Sequence, residues 1–199
     1  MDEGAIKFNC KLIKAKSPSP EKITELNKWR NKLFELKLIG AYKNGVGFGN
    51  ISVRAEKNTF FVSGSGTGKK KKLTEKDYSK VIEFDFSSNS LTCEGKIKAS
   101  SESLTHATIY ESSPETNAVI HVHSMKLWKH LMNKVPFTRK EIEYGSPEMA
   151  EEMKKLLAGK KAREKKIIVM KGHKEGIISF GKTLDEAGNI LLKFFEETK

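Results

Sequence analysis

The sequence predicts an α/β domain built on a largely antiparallel sheet. Three observations carry this: strand-like and helix-like segments are interspersed, turns between neighbouring strand-like segments are often short, and no internal repeat or linker divides residues 1–199. Short connections allow neighbouring strands to run antiparallel, whereas parallel neighbours need crossovers of roughly a dozen residues or more. A chain of 199 residues is long enough for one full core, so a single domain over 1–199 is expected.

In chain order, Ile6, Phe8, Cys10 and Leu12 alternate with polar residues and predict a strand over 5–13, which Ser17-Pro18-Ser19-Pro20 breaks. Ser19 then caps a helix with Pro20 at its first position and Ile23, Leu26, Trp29 and Leu33 on its apolar face, and Gly40 is the expected stop. A glycine-rich loop, Asn44 to Asn50, leads into the strand Ile51–Arg54. Phe60-Phe61-Val62 is a second strand, running into Ser63-Gly64-Ser65-Gly66-Thr67-Gly68 and the lysine run 69–72, which reads as a solvated loop or, in part, as a face toward the substrate. Thr74 with Asp77 has the spacing of a helix cap, and Val81–Phe86 is strand-like with its turn at Ser87–Ser90. A helix over 102–111, a strand around Ala118–Ser124, helices over 125–132 and 147–158, and strands at Ile167–Met170 and Gly176–Gly181 follow. Thr183 with Glu186 forms a capping box for a last helix ending near Glu197.

Composition excludes several classes of function. Hydrophobic residues make up 37% and charged residues 31%, which fits a globular chain rather than a disordered one. No apolar run approaches the roughly 18 residues of a membrane span, and the N-terminus lacks an apolar signal region, so no membrane partner and a cytoplasmic location are expected. The net charge of +12 points toward polyanions, yet basic residues are mixed with acidic ones along the whole chain and only four of the 37 are arginine. Readers of phosphates and bases favour arginine forks, so no nucleic-acid partner is expected. Cys10 and Cys93 share no motif and are expected as buried thiols.

The chemistry-bearing residues are spread over four segments. In Ala118-Val119-Ile120-His121-Val122-His123-Ser124, two histidines sit one residue apart in a β-branched run, so both side chains share one face of a strand. Two imidazoles so placed can reach one divalent metal, although the pair alone also describes a polar strand end. His173, just past an apolar strand, is a candidate third ligand or an exposed loop histidine; three nitrogens would leave a catalytic site with an open position. His106 and His130 fall on helices and carry no assigned role. Ala99-Ser100-Ser101-Glu102 precedes a helix and suits either an ordinary cap or a bound phosphate. The turns 47–50 and 63–68 let backbone amides approach an anion, but neither has the ending of a P-loop.

Taken in order, Gly49-Asn50-Ile51-Ser52-Val53-Arg54, Ser63-Gly64-Ser65-Gly66, Ser100-Ser101-Glu102, His121-Val122-His123-Ser124 and His173 resemble the class II aldolase/adducin family across roughly residues 20–195. The resemblance implies a three-layer α/β/α fold with a mostly antiparallel central sheet, and a homo-oligomer, usually a tetramer. By the same resemblance His121, His123 and His173 hold one divalent metal ion per subunit, usually Zn2+, and Glu102 is the catalytic acid/base. Asn50, Ser65, Gly66, Ser100 and Ser101 take the phosphate of a phosphorylated sugar substrate, and Gly47 stands where a pocket threonine occurs. The implied reaction is retro-aldol cleavage of a phosphorylated ketose through an enediolate, with sugar-phosphate dehydratases, epimerases and a non-catalytic adducin-like role as the family's alternatives. Two departures stand out. The glycine expected after the third histidine is displaced, giving His173-Lys174-Glu175-Gly176, and the chain ends soon after its last helix. No second proton donor is therefore identifiable by resemblance; Tyr144 of a neighbouring subunit is the candidate.

Overall fold

In the computed structural model, which describes residues 4–199, the chain forms one eight-stranded sheet between two helical layers. The strands are β1 (Asn9–Lys14), β4 (Asn50–Arg54), β5 (Phe60–Ser63), β6 (Tyr78–Asp85), β7 (Ser90–Gly95), β8 (Ala118–His123), β9 (Ile167–Val169) and β10 (Gly176–Gly181), with the ribbon β2 (Gly40–Ala41) and β3 (Gly47–Phe48) beside them. The helices are α1 (Pro20–Glu35), α2 (Ser103–Ser112), α3 (Met125–Leu131), α4 (Pro147–Ala158), α5 (Lys160–Lys165) and α6 (Leu184–Glu196). Strand order is β1-β7-β6-β5-β4-β8-β10-β9, and every pairing is antiparallel except β1 with β7. The mostly antiparallel sheet between helical layers agrees with the expectation.

Alternation along the strands sorts the core onto two faces. Ala118, Ile120 and Val122 pack with α1, α3 and α6, while Val119 packs with α2, α4 and α5. Neighbours keep the same register: Ile51, Phe61 and Ile177 join the first layer, and Phe60, Val62, Ile178 and Phe180 the second. Each fully buried valine, isoleucine or phenylalanine among them contributes about 1.5–3 kcal/mol relative to exposure. Because β8 lies inside the sheet, between β4 and β10, both of its backbone edges are paired and its register is fixed.

Several boundaries differ from expectation. Helix α1 ends at Glu35 rather than at Gly40; the chain turns at Lys37, in left-handed conformation (φ 58°), and Gly40 belongs to β2. The Thr74–Asp77 cap closes only a one-turn 3-10 helix, where the Thr74 N–H and hydroxyl both donate to Asp77 Oδ2 at 2.9 and 3.1 Å. β7 and α5 have no counterpart in the sequence reading: β7 carries few apolar residues, and Lys-Lys-Ala-Arg-Glu-Lys has almost no apolar stripe. Lys69 to Lys72 are exposed, as expected of a solvated run. Cys10 and Cys93 are free thiols, but adjacent strands bring their sulfurs to 4.0 Å. Among the described residues no helix is long and apolar enough to cross a membrane.

Candidate metal centre and anion cleft

His121 and His123 leave β8 on the α2 side of the sheet, as a period of two requires, and both are buried. His173 comes from the tight turn joining β9 to β10, closed by Met170 N to Gly176 O at 2.9 Å, His173 N to Met170 O at 3.1 Å and Gly176 N to His173 O at 2.8 Å. Gly172 is required there, because a Cβ would lie 1.9 Å from the Ile142 carbonyl oxygen. His173 is buried, not an exposed loop residue, and one ring nitrogen from each of the three histidines lies within 4.8 Å of the others.

Hydrogen-bond partners assign the tautomers. The His121 Nδ1 faces the Ile177 carbonyl at 3.1 Å, an acceptor only, so Nδ1 donates and Nε2 presents its lone pair. The Tyr42 hydroxyl donates its one proton to Glu175 Oε2 at 3.3 Å and so accepts from His123 Nδ1 at 2.8 Å. The two Nε2 atoms lie 3.0 Å apart. Ring nitrogens this close could share one cation, and neutral imidazoles are what a borderline-soft divalent ion requires. Burial, then the neighbouring His121 and His173, pushes the His123 pKa well below the usual histidine value, keeping the ring neutral. Phe48 stacks on His123 with ring centroids 5.4 Å apart. The donor set therefore fits a divalent ion.

Glu102, just before α2, is 2% exposed. Its Oε2 accepts from the Thr105 hydroxyl at 2.8 Å, and its Oε1 lies 3.2 Å from His173 Nδ1. Burial alone would raise its pKa, but the contact with His173, and then the electrostatic influence of the His173 and His121 rings, hold the carboxyl below the ordinary glutamate value. Glu102 and all three histidines line one cleft of ≈ 370 Å³ together with Asn50, Ser65, Gly66, Ser100 and Ser101. Asn50 is placed by its register opposite His121, and its Oδ1 has no hydrogen-bond partner among the described residues. The bridge between Gly64 and Ala99, with Ser65 N to Lys98 O at 2.9 Å, lays the 63–68 turn beside Ser100 and Ser101. Gly66 takes φ 71°, a left-handed conformation that favours glycine even though a Cβ there would meet open space. Gly47 lines the same cleft, and a Cβ on it would come within 3.2 Å of the Gly68 nitrogen.

The turn is tethered from beneath. Arg30 of α1, 1% exposed, donates to the carbonyls of Lys71 at 2.8 Å, Gly68 at 3.1 Å and Thr67 at 3.2 Å. Sequence reasoning does not find Arg30, Thr105, Tyr42, Phe48 or Glu175, since none lies in a spacing pattern of its own. Glu175, just before the displaced Gly176, takes a left-handed conformation (φ 71°), uncommon outside glycine. Tyr144, the candidate second proton donor, stacks on His173 of its own chain, with ring centroids 4.5 Å apart and planes 26° apart. The two histidines without an assigned role lie apart from the cleft: His106 Nδ1 bonds Ser52 Oγ at 2.7 Å in the core, and His130 pairs with Glu197 at 2.9 Å.

Known proteins share this frame. Residues 41–196 match the profile of the class II aldolase and adducin N-terminal domain. The chain is similar in structure to an L-fuculose 1-phosphate aldolase, with TM-score 0.66 and 23% identity over 92% of this chain and 84% of that one. It is also similar to the L-fuculose-1-phosphate aldolase of Thermus thermophilus, with TM-score 0.65 and 22% identity over 90% and 91%. A third match is YgbL of Escherichia coli, whose chemistry is left open between aldolase, epimerase and decarboxylase, with TM-score 0.63 and 18% identity over 88% and 84%. At these identities the structural likeness is one of fold, and the family rests on the profile match over more than three quarters of the chain. With that profile, this fold and a buried histidine triad, the chain belongs to the class II aldolase and adducin N-terminal domain family.

Proposed function

We propose that the protein is a metal-dependent aldehyde-lyase that cleaves a phosphorylated ketose into dihydroxyacetone phosphate and an aldehyde. The observation that carries this reading is one cleft shared by three convergent imidazoles, a buried carboxylate, and a glycine- and serine-rich anion pocket. His121, His123 and His173 would hold one divalent ion, zinc in the first instance. When bound, that ion supplies Lewis-acid stabilisation of the negative charge that carbon–carbon cleavage leaves on the ketose oxygens.

The chain's own residues do the rest. Ser100, Ser101, Ser65, Asn50 and the amide of Gly66 bind the phosphate, and this binding energy, remote from the breaking bond, orients the ketose. Glu102, with Thr105 holding Oε2, takes up at Oε1 the proton that the distal hydroxyl gives up as the carbon–carbon bond breaks, and returns it to the carbon freed by cleavage. The buried walls, with Phe48 over His123, keep bulk water from the reacting carbon. A homotetramer is proposed on the family resemblance.

The test is a coupled assay for dihydroxyacetone phosphate across a panel of ketose 1-phosphates, with the aldehyde measured alongside. The wild type should release both products. Glu102→Gln should lose about 10²–10⁴-fold in kcat while retaining metal. No signal across the panel would sink the lyase reading, and substrate loss without aldehyde would replace it with a dehydratase or epimerase.

A further inference from the structure

A second, larger cleft of ≈ 1420 Å³ begins where the first ends, with His173 in the lining of both. Trp128 and Tyr144 line it with Lys7, Lys129, Lys140, Lys171 and Lys174. Lysine is about one residue in six across the chain but nearly half of this lining. The cleft's single carboxylate, Glu143, is already paired with Lys7 at 2.8 Å. Lys129, Lys140 and Lys174 are exposed and form no ion pair with a carboxylate among the described residues, while Lys171 lies over the Phe137 ring at 5.1 Å. Like charges gathered without counter-charges raise the local potential and attract anions. The sugar-phosphate site already has its anion pocket on the other side of the triad, so this cleft is positioned for the far end of the substrate.

We propose that the substrate is doubly anionic: a ketose phosphate whose distal end carries a second anionic group, held by Lys129, Lys140 and Lys174. This deepens the proposed function and rests on it. The second group is a phosphate or a carboxylate; lysine ammoniums accept either as point charges. Trp128 and Tyr144 supply the apolar wall along which the intervening carbons lie. The inference makes the lysine cleft a specificity element rather than part of the bond-breaking machinery.

Unreactive linear probes test this without depending on turnover. Glucitol 6-phosphate, 6-phosphogluconate and glucitol 1,6-bisphosphate share one phosphorylated end and differ only at the other. Binding is followed by calorimetry and by the emission of Trp128, with the metal-loaded protein at low salt. The wild type should bind at least one doubly anionic probe about tenfold or more tighter than glucitol 6-phosphate, and which one it prefers separates carboxylate from phosphate. The triple variant Lys129→Ala/Lys140→Ala/Lys174→Ala, changed only at exposed positions, should keep its metal and its affinity for glucitol 6-phosphate while losing the preference. Equal affinity for all three probes, or a preference that survives in the triple variant, would overturn the proposal. Failure of the underlying reading looks different: affinity for glucitol 6-phosphate that is insensitive to Ser100→Ala/Ser101→Ala. No binding of any probe would overturn both.

Discussion

His121 and His123 reach the cleft from the middle of a sheet, while Ser65, Gly66 and Gly47 reach it from turns and a two-residue strand. The two halves are made rigid by different means. On β8 both backbone edges are paired and alternate side chains are locked in the core, so imidazole placement follows from register. The 63–68 turn and the lysine run after it are held instead by a buried guanidinium that binds the carbonyls of Thr67, Gly68 and Lys71. For the proposed function, a metal centre needs fixed side chains, which a strand supplies, and an anion pocket needs a loop held in place from outside.

Arg30→Met separates the halves with the largest effect. Three carbonyls lose a charged donor, which should cost of order 3 kcal/mol in urea unfolding. The KM for a phosphorylated substrate should rise at least tenfold with metal content unchanged. A loss of metal equal to the loss of phosphate affinity would show that the halves are not independent.

Tyr42→Phe probes the sheet-borne half. It removes the acceptor that orients His123 Nδ1, and metal affinity should fall roughly 10–100-fold in competition with a chromophoric chelator. Unchanged affinity would show that Phe48 stacking alone orients the ring.

The smallest effect appears only with pH. Burial, then the neighbouring His121, against an opposing Glu102, lowers the pKa of His106 to about 3. The unfolded chain takes up this proton near pH 6.5 and the folded chain refuses it until about 3, so stability present at neutral pH falls as pH drops through that window. The slope contributed approaches about 1.4 kcal/mol per pH unit. In metal-free protein, urea unfolding at pH 7 and pH 4.5 should show this loss in the wild type and less of it in His106→Gln.

This contrast also explains what can be read in the sequence. The β8 histidines are legible because a period of two inside a β-branched run fixes the face on which they lie. Ser19-Pro20 and Thr183/Glu186 are legible because caps are local chemistry, and in the structure Thr183 Oγ1 accepts from Glu186 N at 3.1 Å. The parallel pairing of β1 with β7 is not, because it is settled by a partner about 80 residues away and leaves no local pattern. Arg30 reads only as a polar residue on an amphipathic helix; its target, the 67–71 backbone, becomes visible only when the turn folds over α1. Likewise Tyr42 and Glu175 are 133 residues apart, and nothing in either segment announces their bond.

Both the chemistry and the division of the cleft into two halves depend on a divalent ion in the histidine triad. The decisive experiment is elemental mass spectrometry of protein purified without chelators, comparing wild type with His121→Ala. Close to one ion per chain is expected in the wild type, and its loss in the variant. A wild type that holds no zinc, cobalt, manganese or iron even after incubation with each would refute the metal site.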